Sequence, residues 1–207
     1  MPRRKRAQIS SRKQPQQARS GELVRAILEA SIQVLAKEGA SRFTTARVAA
    51  KAGVSVGSIY QYFPNKASIL FRLQSDEWRE TTALMRRILQ DGGSPPLDRL
   101  RTLVHAFLKS ECDEASVRVA LDDAAPLYRN APEAAAAMAD WDSITDTFMR
   151  EALPGRPKAL RELVGDMIGT TLSAYGRDFS ETPRTPAEIK AHADAMADMF
   201  CIYIGSL

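Results

Sequence analysis

The stretch from Phe43 to Lys66, FTTARVAAKAGVSVGSIYQYFPNK, constrains the fold more than any other part of the chain. Thr44 and Thr45 are suited to capping a short helix that runs to about Lys51, Gly53 supplies a turn, and Ser55 is placed to cap a second short helix reaching Tyr62. Two short helices joined by a glycine turn outline a helix-turn-helix, whose second helix enters the DNA major groove. The inward set is Val48, Ala49, Ala52, Val54 and Ile59. Small side chains at Ala49 and Ala52 let two helices cross closely, and Ile59 marks the core side of the second helix. That leaves Val56, Gly57, Ser58, Tyr60, Gln61 and Tyr62 for the DNA-facing and flanking surface.

Charge is distributed in the same sense. The chain of 207 residues carries a net charge of +4, but residues 1–70 hold thirteen Lys or Arg against three acids, a balance of +10. The remaining 16 basic and 22 acidic residues leave −6 for the rest. Positive charge therefore gathers at the end that holds the helix-turn-helix, where a phosphate backbone would be met. Residues 1–19 contain seven basic residues, no acids and almost nothing able to form a core, which reads as an arm without structure of its own when free. Such an arm suits electrostatic contact with phosphates more than base-specific reading.

The remaining periodicities are helical, and the fold class is all-α with about nine helices. Val24, Ile27, Leu28, Val34 and Leu35 recur at helical spacing from Gly21 to Glu38, with Gly39 as the C-cap. A fourth helix follows Pro64 and takes in Ile69, Leu70, Leu73, Trp78, Leu84 and Ile88, until DGGSPP at Asp91 to Pro96 ends it. Further helices are expected over Leu97 to Cys112, Glu114 to Ala124, Pro132 to Leu153, Lys158 to Phe179 and Pro186 to Tyr203. The domain reading is an arm over 1–19, a three-helix DNA-binding domain over 20–66, and a helical effector-binding and dimerisation domain over 67–207. Gly165, Gly169, Ala174 and Gly176, with Met196, Met199, Phe200 and Ile204, offer small and apolar faces that favour a dimer interface over a purely internal contact.

The run TTARVAAKAGVSVGSIYQYFPNKASIL resembles the N-terminal domain of the tetracycline-repressor (TetR) family of transcriptional regulators, over roughly residues 24–73. The preceding helix with Gly39, the AGVS turn, the SIYQYF helix and the following PNK arrive in the family's order. The resemblance implies a homodimer that places its two recognition helices in successive major grooves of a palindromic double-stranded DNA operator, most often as a repressor released by a small molecule. By that resemblance Thr45 is a backbone contact, Ser58, Tyr60, Tyr62 and Lys66 position phosphate or sugar, and Val56, Gly57 and Gln61 approach base edges, with Tyr60 also able to reach a base. Gln61 carries both a donor and an acceptor suited to adenine, and Val56 an apolar surface suited to a thymine methyl. One departure concerns Arg47, which stands where the family often has an acidic residue before the Val48-Ala49 pair.

Other chemistry finds little support. Gly53-Val54-Ser55-Val56-Gly57 fits the GxSxG pattern of a hydrolase elbow, but its flanks are helical where an elbow needs a strand, and His105 and His192 form no relay with it. Ser55 reads as a helix cap, and no enzyme activity or cofactor is called for. Cys112 and Cys201 make neither a zinc cluster nor a disulfide framework, and the basic N-terminus continues without an apolar signal core. A cytoplasmic protein without a membrane segment is expected. In the second domain His105, Phe107, Tyr128, Trp141 and Phe148 are candidates to line a pocket for an apolar or mixed-polarity effector, and equally to fill helical cores. The competing reading is a helical dimerisation or protein-interaction module with nonspecific DNA affinity and no effector.

Overall fold

The computed structural model describes residues 18–127 and 143–207, and among these it contains helices and turns but no strand. In chain order the helices are α1 (Ala18–Arg42), α2 (Thr45–Ala52), α3 (Val56–Tyr62), α4 (Lys66–Leu89), α5 (Pro96–Asp113) and α6 (Ala115–Ala124), the last running into a 3-10 turn at Ala125–Leu127. They are followed by α7, described over 143–152, then α8 (Lys158–Ser180) and α9 (Pro186–Ser206). The basic arm lies outside the described residues up to position 17, and Ala18 and Arg19 begin α1. The helix expected from Pro132 is described only from 143 onward.

Local chemistry sets the helix ends. At Gly39 the backbone of α1 takes φ 72° and ψ 172°, a break that glycine accepts without Cβ strain, before one more turn closes at Arg42. Proline occupies the first position of α5 and of α9, where its missing N–H is not needed. Thr185 and Glu188 form a reciprocal capping box: Glu188 N–H donates to Thr185 Oγ1 at 3.3 Å, and Thr185 N–H donates to Glu188 Oε2 at 2.8 Å. Those bonds from the Thr185 backbone and hydroxyl hold the Glu188 carboxyl below the usual carboxylate range.

Contacts divide the chain into two compact units. The first holds α1, α2, α3, α4 as far as Arg79, and α6. Ile27, Leu35, Phe43, Val48, Ile59, Phe63, Ile69 and Leu70 form its innermost layer, and α6 adds Ala120, Leu121 and Ala124. Arg118 of α6 reinforces that placement by pairing with Glu77 of α4 at 2.8 Å, both side chains largely shielded from water. The second unit takes α4 from Glu80, α5, α7, α8 and α9. Within it α5 packs along both α8 and α9, and Leu100, Val104, Leu108, Met149 of α7, Val164 and Ala197 are buried in one core. The helix α4 supplies Leu70 and Leu73 to the first core and Met85 and Leu89 to the second.

Two of the small residues expected to serve an intermolecular contact, Gly165 and Gly176, meet neighbouring helices of the same chain. A Cβ on Gly176 would lie 2.9 Å from Phe107 Cε1 and 3.0 Å from Glu111 Cγ on α5, and one on Gly165 would lie 3.0 Å from Thr145 Cγ2 on α7. Met196, Phe200 and Ile204 are likewise buried in the second core, and only Met199 of that group is exposed. Gly176→Ala should therefore destabilise the protein by about 1–3 kcal/mol through overpacking against the Phe107 ring. Urea unfolding measures it, and an unchanged midpoint would mean that α8 can move away from α5 freely.

Candidate nucleic-acid interface

The helix-turn-helix is built by caps that the sequence carries residue by residue. Thr44 is the N-cap of α2, its Oγ1 accepting Arg47 N–H at 3.3 Å. Gly53 ends the helix in the left-handed region at φ 68° and ψ 29°. Two bonds close the turn, Val54 N–H to the Ala49 carbonyl at 3.0 Å and Gly53 N–H to the Ala50 carbonyl at 3.4 Å, the paired pattern of a Schellman motif. Ser55 then caps α3 by accepting Ser58 N–H at 3.0 Å. The serine of the GxSxG run is thus a cap between two helices. Its hydroxyl lies 2.8 Å from Ser58 Oγ, so the Ser58 hydroxyl is already engaged within the motif.

The inward set packs as its spacing indicates. Val48, Ala49 and Ile59 are buried, while Ala52 and Val54 are partly buried against the same core. On the outer side, Val56, Gly57, Tyr60 and Gln61 are exposed and Ser58 is half-buried. Tyr62 departs from the expected surface set. It is 9% exposed and belongs to the hydrophobic core, because it follows Ile59 by three residues and so shares its helix face. Thr45 and Tyr60 come together across the motif, with their hydroxyl oxygens 3.3 Å apart. Lys66 is exposed at the first position of α4, next to the Asn65 side chain that caps Ser68 N–H at 3.0 Å. The arrangement presents hydroxyls, a cation and helix N-terminal amides, which are phosphate-binding groups, around a short helix that exposes Val56, Gly57, Tyr60 and Gln61.

Arg47 has a role that spacing alone did not reveal. Its guanidinium donates from Nη1 to the Glu38 carboxylate and, at 2.9 Å, to the Arg42 carbonyl. The available signal was its place at the third position of α2, where a capping box has an acid and this chain has a cation.

Three of the candidate pocket residues, His105, Phe107 and Phe148, lie among the described residues. Phe107 and Phe148 are buried in the second core, Phe148 with the Arg99 guanidinium 5.7 Å from its ring centre. His105 is partly exposed and faces Asp194 of α9, with Nε2 3.0 Å from Oδ1. A bond from Lys190, with a smaller contribution from His105, holds the Asp194 carboxyl below its ordinary range. Tyr128 and Trp141 lie outside the described residues. A separate groove of about 930 Å³ runs between α7 and α8, lined by Asp146, Met149, Arg161, Asp166, Thr170 and Arg177 among others. Among the described residues no cluster of His, Cys, Asp and Glu is arranged to hold a metal ion.

Two family models match the chain. One described as "Bacterial regulatory proteins, tetR family" covers residues 27–73, which contain the helix-turn-helix, and "Tetracyclin repressor-like, C-terminal domain" covers residues 95–207, more than half of the chain. The chain belongs to the tetR family. Among curated proteins, this tetR-family chain is 42% identical over 85 residues to the nucleoid occlusion factor SlmA of Vibrio campbellii (strain ATCC BAA-1116), spanning 40% of this chain and 42% of that protein. It is 31% identical over 94 residues to the HTH-type transcriptional regulator BetI of Stenotrophomonas maltophilia (strain R551-3), spanning 45% and 48%. The chain thus spans less than half the length of these relatives. The fold extends further: the fatty acid degradation regulator FadR from Bacillus halodurans superposes with a TM-score of 0.69 over 91% of this chain and 96% of that one, at 18% identity. At that identity the likeness concerns architecture alone. No helix among the described residues is long and apolar enough to cross a membrane.

Proposed function

We propose that this tetR-family chain is a homodimeric transcriptional repressor that reads a palindromic operator through α3 and is released by a small molecule. The observation that carries the reading is the outer face of the helix-turn-helix. Val56, Gly57, Tyr60 and Gln61 are exposed on α3 while Ile59 and Tyr62 hold it to the core, and the Thr45 and Tyr60 hydroxyls converge beside it. Hydroxyls and Lys66 suit phosphate, which positions the protein; Gln61 and Val56 suit base edges, which specify sequence. We assign DNA reading to the first compact unit, and effector binding and dimerisation to the second.

For dimerisation, the described residues of the second unit expose large apolar side chains at Leu163 and Met167, four residues apart on α8, and at Met199 and Ile202, three apart on α9. Ile202 is 72% exposed, an unusual position for a large aliphatic side chain unless a partner covers it. For the effector, the α7–α8 groove carries both signs of charge, with Asp146 and Asp166 against Arg161 and Arg177, and so favours a ligand of mixed polarity over a purely apolar one. Binding would act on DNA affinity only insofar as the ligand favours one arrangement of the dimer over another.

Selection of bound duplexes from a randomised pool tests the reading, and an enriched palindrome is expected. On that palindrome Lys66→Ala should weaken specific and unrelated DNA alike and lower the salt slope by about 1. Gln61→Ala should instead relax preference at one position by about 1–3 kcal/mol. Failure to enrich any sequence with folded protein would favour an interaction module with nonspecific DNA affinity.

A further inference from the structure

We propose that the Arg47–Glu38 pair positions the DNA reader, by setting the angle at which α2 leaves α1. The inference rests on the DNA-binding reading and adds to it a residue pair that need not touch DNA. Arg47 sits on the first turn of α2, where Thr44 caps its N–H. An acid at this position would reach back to the N-cap backbone; arginine has no acceptor with which to do so. A cation on a first helical turn is also unfavourably placed with respect to the helix dipole. Arg47 instead reaches out of its own helix, to the Glu38 carboxylate and the Arg42 carbonyl.

These two acceptors flank Gly39, where α1 breaks at φ 72°. One guanidinium therefore bonds to the chain on each side of the break while being rooted in α2. The α2–α3 angle is held separately by the Gly53 turn and the core. To the apolar core that α1 and α2 share, the pair adds a polar tie across the Gly39 break, which fixes how α2 and α3 together are carried on α1. Both side chains are partly exposed, so their contribution to overall stability is small and their effect falls on geometry.

Glu38 makes the test decisive because it is an acid. If Arg47 and Glu38 acted on DNA only through charge, Glu38→Gln would remove a negative group and tighten binding. Positioning requires the opposite: Glu38→Gln and Arg47→Ala should each weaken the selected duplex on the order of fivefold, an effect typical of residues coupled in one network. Thermal midpoints should stay near that of the wild type. The reversed pair, Glu38→Arg with Arg47→Glu, should bind more tightly than Arg47→Glu alone. Tighter binding by Glu38→Gln, unchanged binding by Arg47→Ala, or no recovery in the reversed pair would each overturn the positioning role while leaving wild-type DNA binding intact. A wild-type protein that enriches no duplex would overturn the DNA-binding reading and this proposal with it.

Discussion

Ile59→Ala is expected to remove DNA binding by releasing the recognition helix, at a cost of about 2–5 kcal/mol in stability. The helix α3 has seven residues, well below the length at which a helix is stable by itself in water. Its order comes from tertiary contact, and its buried side chains are Ile59, at 0% exposure, and Tyr62. Truncating Ile59 removes three carbons from a fully buried site in the first core and leaves a void on the side of α3 that holds it to the domain. Chemical denaturation measures the stability loss, and binding to the selected duplex measures the function. Gln61→Ala, on the outer face of the same helix, is the control and should leave the unfolding midpoint unchanged. A stable Ile59→Ala protein with wild-type affinity would mean that Tyr62 and the Ser55 cap suffice to hold the helix.

The second large effect is expected at Arg99, in the other unit. Its side chain is 4% exposed and donates to the Leu89 carbonyl at the end of α4 and to the Glu151 carboxylate on α7. The Leu89 carbonyl is one of the groups a helix leaves without an internal partner at its C-terminus, where a cation is also favoured by the dipole. Arg99→Ala would leave that carbonyl without its donor and open a void beside Phe148, for about 3 kcal/mol. Glu151 is about half exposed and would regain water, which keeps the loss from being larger. Arg99→Met should recover part of the loss, since it fills the volume and also removes the buried Nε, which has no hydrogen-bond partner among the described residues. Urea titration of the two variants checks the order. If Arg99→Met is the less stable, the hydrogen bonds outweigh the packing.

Tyr62 and α6 show how far reading the chain can go. Tyr62, expected on the DNA-facing and flanking surface, is 9% exposed and belongs to the first core. The three-residue step from Ile59 was the stronger signal, and it put the ring in the core. For α6 the sequence predicts a helix over Glu114 to Ala124 without saying which core its apolar side chains join. Ala120, Leu121 and Ala124 complete the core of α1 to α4 rather than that of the adjacent α5, and the Arg118–Glu77 pair accompanies them. Burial of apolar surface is favourable against any apolar neighbour, so a helical pattern identifies a face without naming its partner.

What this sequence by itself determined is local: the helix ends, the capping of α2 and α3, the glycine turn between them, and the inward set Val48, Ala49 and Ile59. Each depends on residues within four or five positions of one another, where backbone geometry leaves few alternatives. The tertiary structure decided which faces are spent inside the chain. Gly165 and Gly176 admit α7 and α5, Met196 and Phe200 fill the second core, and Leu163, Met167, Met199 and Ile202 remain outside. It also decided that Arg47 reaches Glu38. The helix contacts join residues distant along the chain and the Arg47–Glu38 pair spans nine positions across the Gly39 break, and close packing admits only those pairings whose shapes and charges fit together once every helix is in place.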